Sequence, residues 1–227
     1  MKSFSNALIF FFLLNNYCLF AQVKFSAATD ISILHNFDPQ QKFTVVGQTL
    51  LPQWHFDKKN TLYASLTYHA NGKYENTLIA TAKSPATQPQ TISFSNQSVM
   101  RLRQISFGFK RYIIGSFENL EKFNLYAAGG FGVMYGHASN TFDTYIDTAL
   151  YTIQYNVVHG AGDFKRLTFD ITGGVEFPVA YELFIYSEIR MYIPTTDYPS
   201  KYLLNNSHAP FLGSINLGIR IIFNADP

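Results

Sequence analysis

The sequence has little charge, one cysteine and no apolar run long enough to form a membrane-spanning helix. Only 14% of its 227 residues are charged, whereas about 25% is typical of globular domains. A net charge of +2 is too small to indicate a nucleic-acid partner. The single cysteine, Cys18, excludes an intrachain disulfide. An apolar helix across a bilayer would need a run of about 20 residues, and none is present.

Aromatic residues, in contrast, are abundant. They make up 17% of the chain, with 15 Tyr and 22 Phe, yet the mean hydropathy is near zero. A β-barrel in a membrane has this combination, because its apolar residues alternate with polar ones along each strand. The composition therefore favours one domain with a lipid-exposed surface and interfacial aromatic girdles.

The N-terminus has the pattern of an export signal. Lys2 precedes the apolar stretch from Ala7 to Leu14, which is too short to span a membrane. Cleavage after Ala21 would leave residues 22–227 as the mature domain and residues 1–21 as the signal peptide. Lipid attachment at Cys18 is the alternative, and the bulky Tyr17 before it disfavours that interpretation.

The last strand carries the clearest structural pattern. The odd positions of residues 211–223 (FLGSINLGIRIIF) are apolar apart from one glycine, while the even positions include Ser214, Asn216 and Arg220. Period-two alternation places these two sets on opposite faces of a strand. After an export signal, the pattern predicts an apolar face toward lipid and a polar face toward a lumen.

Eight segments with this pattern follow the signal. They are residues 25–35, 43–56, 61–70, 99–114, 123–138, 165–178, 181–193 and 211–223. The connections after the second, fourth and sixth segments are short, whereas residues 71–98, 139–164 and 194–210 form long ones. Short periplasmic turns and long extracellular loops are typical of outer-membrane barrels. The sequence thus predicts an eight-stranded antiparallel up-and-down transmembrane β-barrel in a Gram-negative outer membrane.

The same alternation places eight charged residues inside the predicted barrel. They are Asp30, Lys110, Arg166, Asp170, Glu176, Glu188, Arg190 and Arg220. An eight-stranded barrel is just wide enough for side chains to fill it, and buried charges must pair. We therefore expect a self-neutralised plug, with a path for protons or small solutes as the alternative. Arg220 should pair with at least one of Asp30, Glu176 and Glu188, and Asp170 should lie beside Arg190 across a very short turn.

Two further groups of residues have expected positions. Gly130, Gly132 and Gly136 leave the inner face of the fifth segment nearly bare, which would make room for bulky side chains from opposite strands. Aromatic residues near the short turns should form a girdle at the periplasmic interface. This second group contains Trp54, Phe56, Phe177, Tyr181 and Phe223.

One motif suggests chemistry. The run His137-Ala138-Ser139-Asn140 resembles the His-x-Ser-Asn motif of the outer-membrane lipid A deacylases. A nucleophilic serine needs a base within reach and an acid that orients this base. Tyr151 stands where that acid is expected, so Asp143 or Asp147 would have to serve. Polar sequence near a loop is the simpler interpretation, and the remaining histidines have no metal-ligand spacing.

The C-terminal strand also resembles an assembly signal. Asn216, Gly218, Ile221 and Phe223 match the polar-x-Gly-x-x-hydrophobic-x-hydrophobic pattern that the outer-membrane assembly machinery reads. Four residues follow Phe223, which departs from the usual ending.

Three stretches carry a resemblance to known proteins: FNLYAAGGFGVMYG, the Phe-Ala-Gln signal ending and INLGIRIIF. They resemble the PorT-type outer-membrane β-barrel family and the small barrels related to the OmpA transmembrane domain. The resemblance implies a fold and a location, and it transfers no catalytic residue. We expect a structural or interaction protein that acts through long extracellular loops, without a cofactor. Its partners would be outer-membrane lipid, the assembly machinery and an unidentified extracellular or envelope partner. The alternatives are a lipid deacylase using His137 and Ser139, a narrow channel, and a carrier of a small hydrophobic ligand.

Overall fold

A computed structural model describes residues 24–207 and 210–223. These residues form nine strands: β1 (Lys24–Asn36), β2 (Phe43–His55), β3 (Asn60–Ala82), β4 (Thr91–Ile114), β5 (Asn124–Phe142), β6 (Tyr151–Ile153), β7 (Gly160–Pro178), β8 (Leu183–Pro194) and β9 (Leu212–Phe223). A single 3-10 turn, Gln154–Asn156, follows β6. None of the helical structure in the described part is long and apolar enough to cross a membrane. The predicted signal peptide and residues 224–227 lie outside the described residues.

Eight of the nine strands close into an antiparallel ring. Each long strand pairs with its neighbours along the chain, and β9 returns to β1 with Phe25 opposite Phe223. The short β6 stays outside the ring and adds to the outer part of β3, where Ala80 faces Ile153. The prediction of an eight-stranded up-and-down barrel is therefore confirmed. We call the end with the β2–β3, β4–β5 and β7–β8 connections the turn end, and the opposite end the loop end.

Strands β3 and β4 extend beyond the segments expected from the sequence. They remain paired from Asn60 opposite Arg111 up to Thr81 opposite Thr91, with one irregularity between His69 and Gly72. The chain continues to alternate here, since Leu78 and Ala80 are buried inside while Ile79 is exposed. The expected loop of residues 71–98 is therefore mostly a raised hairpin, which forms a high wall at the loop end.

The outer surface of the ring carries an apolar belt. On β9, Ile215, Leu217 and Ile219 point outward, and the intervening Ser214, Asn216 and Arg220 are buried inside. The other strands follow the same rule. Outward apolar residues with more than two fifths of their surface exposed include Ile31, Ile33, Val46, Leu50, Leu62, Leu66, Ile105, Phe107, Phe109, Phe131, Leu167, Ile171, Ile185 and Ile189.

The register between β7 and β8 differs from the predicted one. Asp170 faces Tyr192, and Arg190 faces Thr172, so the expected Asp170–Arg190 pairing is wrong by two residues. The cause is the turn, which spans residues 179–182: the backbone N–H of Val179 donates to the carbonyl of Leu183 at 2.8 Å. A four-residue turn shifts every facing pair relative to the shorter turn assumed from the sequence.

Candidate functional site

Glu176 organises the charged residues nearest the turn end of the lumen. Its carboxylate pairs with Lys110 and accepts hydrogen bonds from Arg220 at 2.8 Å and from the Tyr112 hydroxyl at 2.9 Å. All four side chains are buried. The predicted contact of Arg220 with an acidic residue is thus present, and Glu176 is that residue. In this group two cations share one carboxylate.

A second charged group lies at mid-height in the lumen. Glu188 accepts a hydrogen bond from Arg190 at 2.6 Å and another from the Tyr126 hydroxyl at 2.8 Å. Asn216 donates to both Glu188 and Asp30, each at 3.3 Å. This group contains two carboxylates and one guanidinium, so its net formal charge is negative. The net formal charge of the group at the turn end is positive.

The two remaining predicted lumen charges stand apart from these groups. Asp170 accepts hydrogen bonds from the Gln104 amide at 2.8 and 3.0 Å. Arg166 donates to the Asn206 side chain at 3.4 Å, so its guanidinium reaches the loop after β8. The structure therefore brings six of the eight predicted residues into two networks and leaves these two with other partners.

Tyrosine hydroxyls complete the networks, and the sequence interpretation did not include them as a group. Tyr112, Tyr126 and Tyr186 each donate to a buried carboxylate at 2.8–2.9 Å, Tyr186 to Asp30. Strand alternation could have identified them from the sequence, because it places all three inside the barrel. A buried phenol usually needs a polar partner, and in this barrel the partner is a carboxylate.

Side chains pack against the inward glycines of β5, and at two of these glycines the side chain is aromatic. A Cβ at Gly136 would overlap the ring of Phe164, and one at Gly130 would lie 2.7 Å from the Tyr63 hydroxyl. Gly132 behaves differently, since a Cβ there would meet Ser106 and the Gln104 amide. The expected steric role of these bare positions is therefore seen, with aromatic rings filling the space at two of the three.

The turn end of the lumen is covered by the β4–β5 connection. Phe117 from this connection is buried and stacks on the His55 ring, with centroids 4.0 Å apart. The backbone carbonyl of Phe117 accepts a hydrogen bond from Arg220 at 2.8 Å. His55 itself is held between the hydroxyls of Ser26 and Thr61, each at 2.8 Å.

The loop end is covered by the connection between β8 and β9. Leu203 and Leu204 are buried in an apolar cluster inside the barrel near the loop end. The amide of Asn140 donates to the Tyr202 carbonyl at 3.0 Å, and the Asn205 amide donates to Asp38 at 2.8 Å. Loops at both ends thus fold back over the interior.

His137 lies on the outside of the barrel near the upper edge of the belt. Its Nδ1 is 2.7 Å from the Asp163 carboxylate, which faces it across β5 and β7. Asp143 and Asp147, one of which the deacylase alternative would need as the orienting acid, accept the backbone N–H groups of Ser95 and Ala149 instead. Asp163, a neighbour across the two strands, takes this position, and it can be identified only from the register of β5 and β7.

Ser139 does not complete a catalytic arrangement with His137. The two residues are on the same strand face, two positions apart, and no hydrogen bond joins them. Their Cα atoms are about 7 Å apart along the strand, and their side chains do not close this gap to the ~2.6–3.2 Å that a nucleophile and its base require. The described residues also contain no group of three or more His, Cys, Asp or Glu arranged to hold a metal ion.

The predicted aromatic girdle lies at the turn end, and the terminal motif runs from mid-height at Asn216 to the turn end at Phe223. Phe223 stacks with Phe25 at 5.5 Å, and Phe25 contacts Trp54 at 5.8 Å. In the motif, Asn216 points inward to the charged network, while Ile221 and Phe223 are exposed on the belt. Gly218 lies where a Cβ would crowd the Tyr186 ring, at 2.7 Å.

Solved structures of small barrels are similar to this chain. The neisserial surface protein NspA aligns over 88% of this chain and 97% of its own, with 10% identity and a TM-score of 0.52. Ail, the attachment invasion locus protein of Yersinia pestis, aligns over 88% and 99%, with 13% identity and a TM-score of 0.48. The outer membrane protein OprG of Pseudomonas aeruginosa aligns over 90% and 98%, with 10% identity and a TM-score of 0.45.

No family model and no curated protein matches the chain. The likeness to NspA, together with the closed ring, shows the fold. The chain forms a small eight-stranded antiparallel β-barrel.

Proposed function

We propose that this chain is an integral outer-membrane protein of a Gram-negative envelope. The observation that carries the proposal is the apolar belt. β9 crosses it between Gly213 and Phe223, and β7 crosses it between Leu167 and Phe177. Either stretch has the ~9–11 residues that a tilted transmembrane strand needs. A belt of this kind would aggregate in water, whereas lipid solvates it. NspA, whose fold is similar, is a surface protein.

The lumen of this barrel is plugged. Two charge networks of opposite formal excess lie one above the other, so their net formal charges cancel. Phe117 covers one end and Leu203 with Leu204 the other. Eight strands enclose little more space than side chains fill. A role as an open channel or as a carrier with an internal ligand cavity is therefore disfavoured.

The raised wall at the loop end is the surface that contacts partners. Paired strands hold it rigid up to Thr81 and Thr91, and β6 reinforces it. Loops on a rigid scaffold commonly carry function. Neighbouring connections at the same end expose Tyr145, between β5 and β6, and Tyr198, between β8 and β9, which are 89% and 63% accessible. In this proposal the partner is an extracellular or envelope component, and the barrel is PorT-like.

Recognition by the assembly machinery also belongs to this proposal. Asn216, Gly218, Ile221 and Phe223 form the signal by which the assembly machinery recognises the last strand. The outward Ile221 and Phe223 are accessible to a receptor, whereas Asn216 acts after folding as part of the lumen network.

The protein binds no nucleic acid and needs no cofactor, and it acts without catalysing a reaction.

Cysteine labelling in whole cells tests the location. In a Cys18→Ser background, we would compare Thr87→Cys at the loop end, Leu217→Cys on the belt and Asn119→Cys at the turn end. A membrane-impermeant maleimide should label only Thr87→Cys in intact cells and also Asn119→Cys after the outer membrane is opened. Labelling of Leu217→Cys in both conditions would contradict a lipid-covered belt.

A lipid deacylase is the second candidate, and one observation favours it. The His137–Asp163 pair supplies a base with an orienting acid at the belt edge. The missing element is a nucleophile within reach of the imidazole, since Ser139 makes no contact with it. The enzymatic role therefore ranks below the interaction role.

A further inference from the structure

A cationic and aromatic row crosses the outer wall directly above the belt. In register across β3, β4, β5 and β7, Tyr68 faces Arg103, Arg103 faces Tyr135, and Tyr135 faces Lys165. The guanidinium of Arg103 lies 5.8 Å from the centroid of the Tyr68 ring, and the Lys165 ammonium lies 5.5 Å from that of Tyr135. Cations and tyrosine rings therefore alternate along one line, and each cation is held against a ring.

The next row toward the turn end is wholly apolar. Leu66, Ile105, Val133 and Leu167 face one another across the same four strands. A step of two residues along a strand, about 7 Å, separates the two rows. The change from apolar to cationic side chains is thus abrupt, as at the boundary between acyl chains and headgroups.

The cations of this surface lack acidic partners within the described part of the chain. Arg103 and Lys165 form no ion pair there, and Arg101 donates instead to the Asn71 side-chain oxygen at 2.9 Å. Asp163 is the acidic residue that lines the groove, and His137 already contacts its carboxylate. Three formal positive charges consequently face outward against one partnered negative charge.

A groove of about 770 Å³ runs between these side chains. We propose that it binds the phosphorylated headgroup of an outer-leaflet lipid, with the acyl chains on the belt below. Arg103 and Lys165 contact the phosphate, Arg101 extends the cationic surface upward, and the two tyrosines lie at the interface beside the glycerol or sugar region. Charge complementarity and continuity with the belt identify the occupant as a lipid. The inference rests on the proposed membrane location.

The test compares two lipids with matched acyl chains. Protein purified from membranes of cells expressing the full chain is placed in nonionic detergent with equal amounts of phosphatidic acid and phosphatidylcholine. Native mass spectrometry then measures the ratio of retained adducts. Arg103→Gln with Lys165→Gln should lower the preference for phosphatidic acid by about 30-fold at low salt.

Two control variants distinguish a site from general charge. Lys59→Gln with Lys122→Gln removes the same charge at the turn end and should leave the preference unchanged. Arg103→Lys with Lys165→Arg keeps the charge and should retain most of the preference. An unaltered preference in the Arg103 and Lys165 glutamine variant, or an equal fall in the turn-end control, would overturn the inference.

Two further measurements separate the possible sources of failure. If inorganic phosphate alone displaces phosphatidic acid completely at comparable concentration, the groove is a site for free anions and the lipid proposal is wrong. If the wild-type barrel enters phosphatidylcholine vesicles but shows no headgroup preference, only this inference fails. If it does not enter vesicles at all, the proposed membrane location fails.

Discussion

Replacing Glu176 by glutamine tests the physical account of the lumen most sharply. Glu176 is buried and accepts hydrogen bonds from Lys110, Arg220 and Tyr112. Glutamine preserves the shape but removes the anion that two buried cations share. Loss of one partner from a buried ion pair typically costs 3–5 kcal/mol, because the remaining charge is uncompensated. We therefore expect the free energy of unfolding to fall by about 3–5 kcal/mol.

Urea unfolding in lipid vesicles would measure this change, followed by the fluorescence of Trp54, the single tryptophan. Glu121→Gln is the matched control, since Glu121 is exposed at the same end of the barrel. A fall in stability for Glu176→Gln no larger than the ~0.5 kcal/mol typical of surface substitutions would refute the reasoning. Replacing Lys110, Glu176 and Arg220 together by methionine should destabilise less than Glu176→Gln alone, because no cation at the turn end is then left without its anion.

Three other predictions follow from local geometry. Gly136→Ala should destabilise the barrel by about 1–3 kcal/mol, because a Cβ there overlaps Phe164, whereas Gly173→Ala, with nothing within 4 Å, should have little effect. Asp57→Ala should destabilise at neutral pH, and the difference from wild type should disappear in strong acid. Ser139→Ala should not change the release of acyl chains from outer-leaflet lipid by the purified protein.

The hydrogen bonds of Asp57 determine how its contribution to stability depends on pH. The Asn60 side-chain amide and the backbone N–H groups of Lys59 and Asn60 donate to its carboxylate, which lowers the pKa of Asp57. A lowered pKa contributes stability above the ordinary carboxyl range, near 4, and this contribution is lost as the pH falls through the folded-state pKa. A difference that persists in strong acid would contradict this cause.

The other two predictions have equally definite contrary outcomes. Equal unfolding curves for Gly136→Ala and Gly173→Ala would show that aromatic packing on the inner glycines contributes little. Acyl release that depends on Ser139, in a variant that folds normally, would make the deacylase role the correct one.

The ring and its two faces could be predicted from the sequence because alternation is a local property. Each residue's parity along a strand determines whether it points in or out, and no partner strand is needed to read it. That is why Arg220 was placed inside and Leu217 outside, as the structure has them. The eight-stranded closure followed from the number of such segments and the alternating lengths of their connections.

Contacts across strands could not be predicted in the same way, because they depend on register. The four-residue turn of residues 179–182 moved Asp170 and Arg190 apart. The pairing of β5 with β7 brought Asp163 to His137, although the two are distant in sequence. The burial of Phe117 depends on a connection that folds back under the barrel, and a short loop sequence carries no signal for that direction.

Ion flux through vesicles with verified insertion tests the central claim, a sealed barrel in the outer membrane, most directly. Insertion would first be established by maleimide protection of Leu217→Cys in vesicles that contain the protein. If side chains seal the lumen as proposed, ion flux through these vesicles stays near that of protein-free vesicles. Stable, large conductance steps from the same inserted protein in a planar bilayer would contradict it.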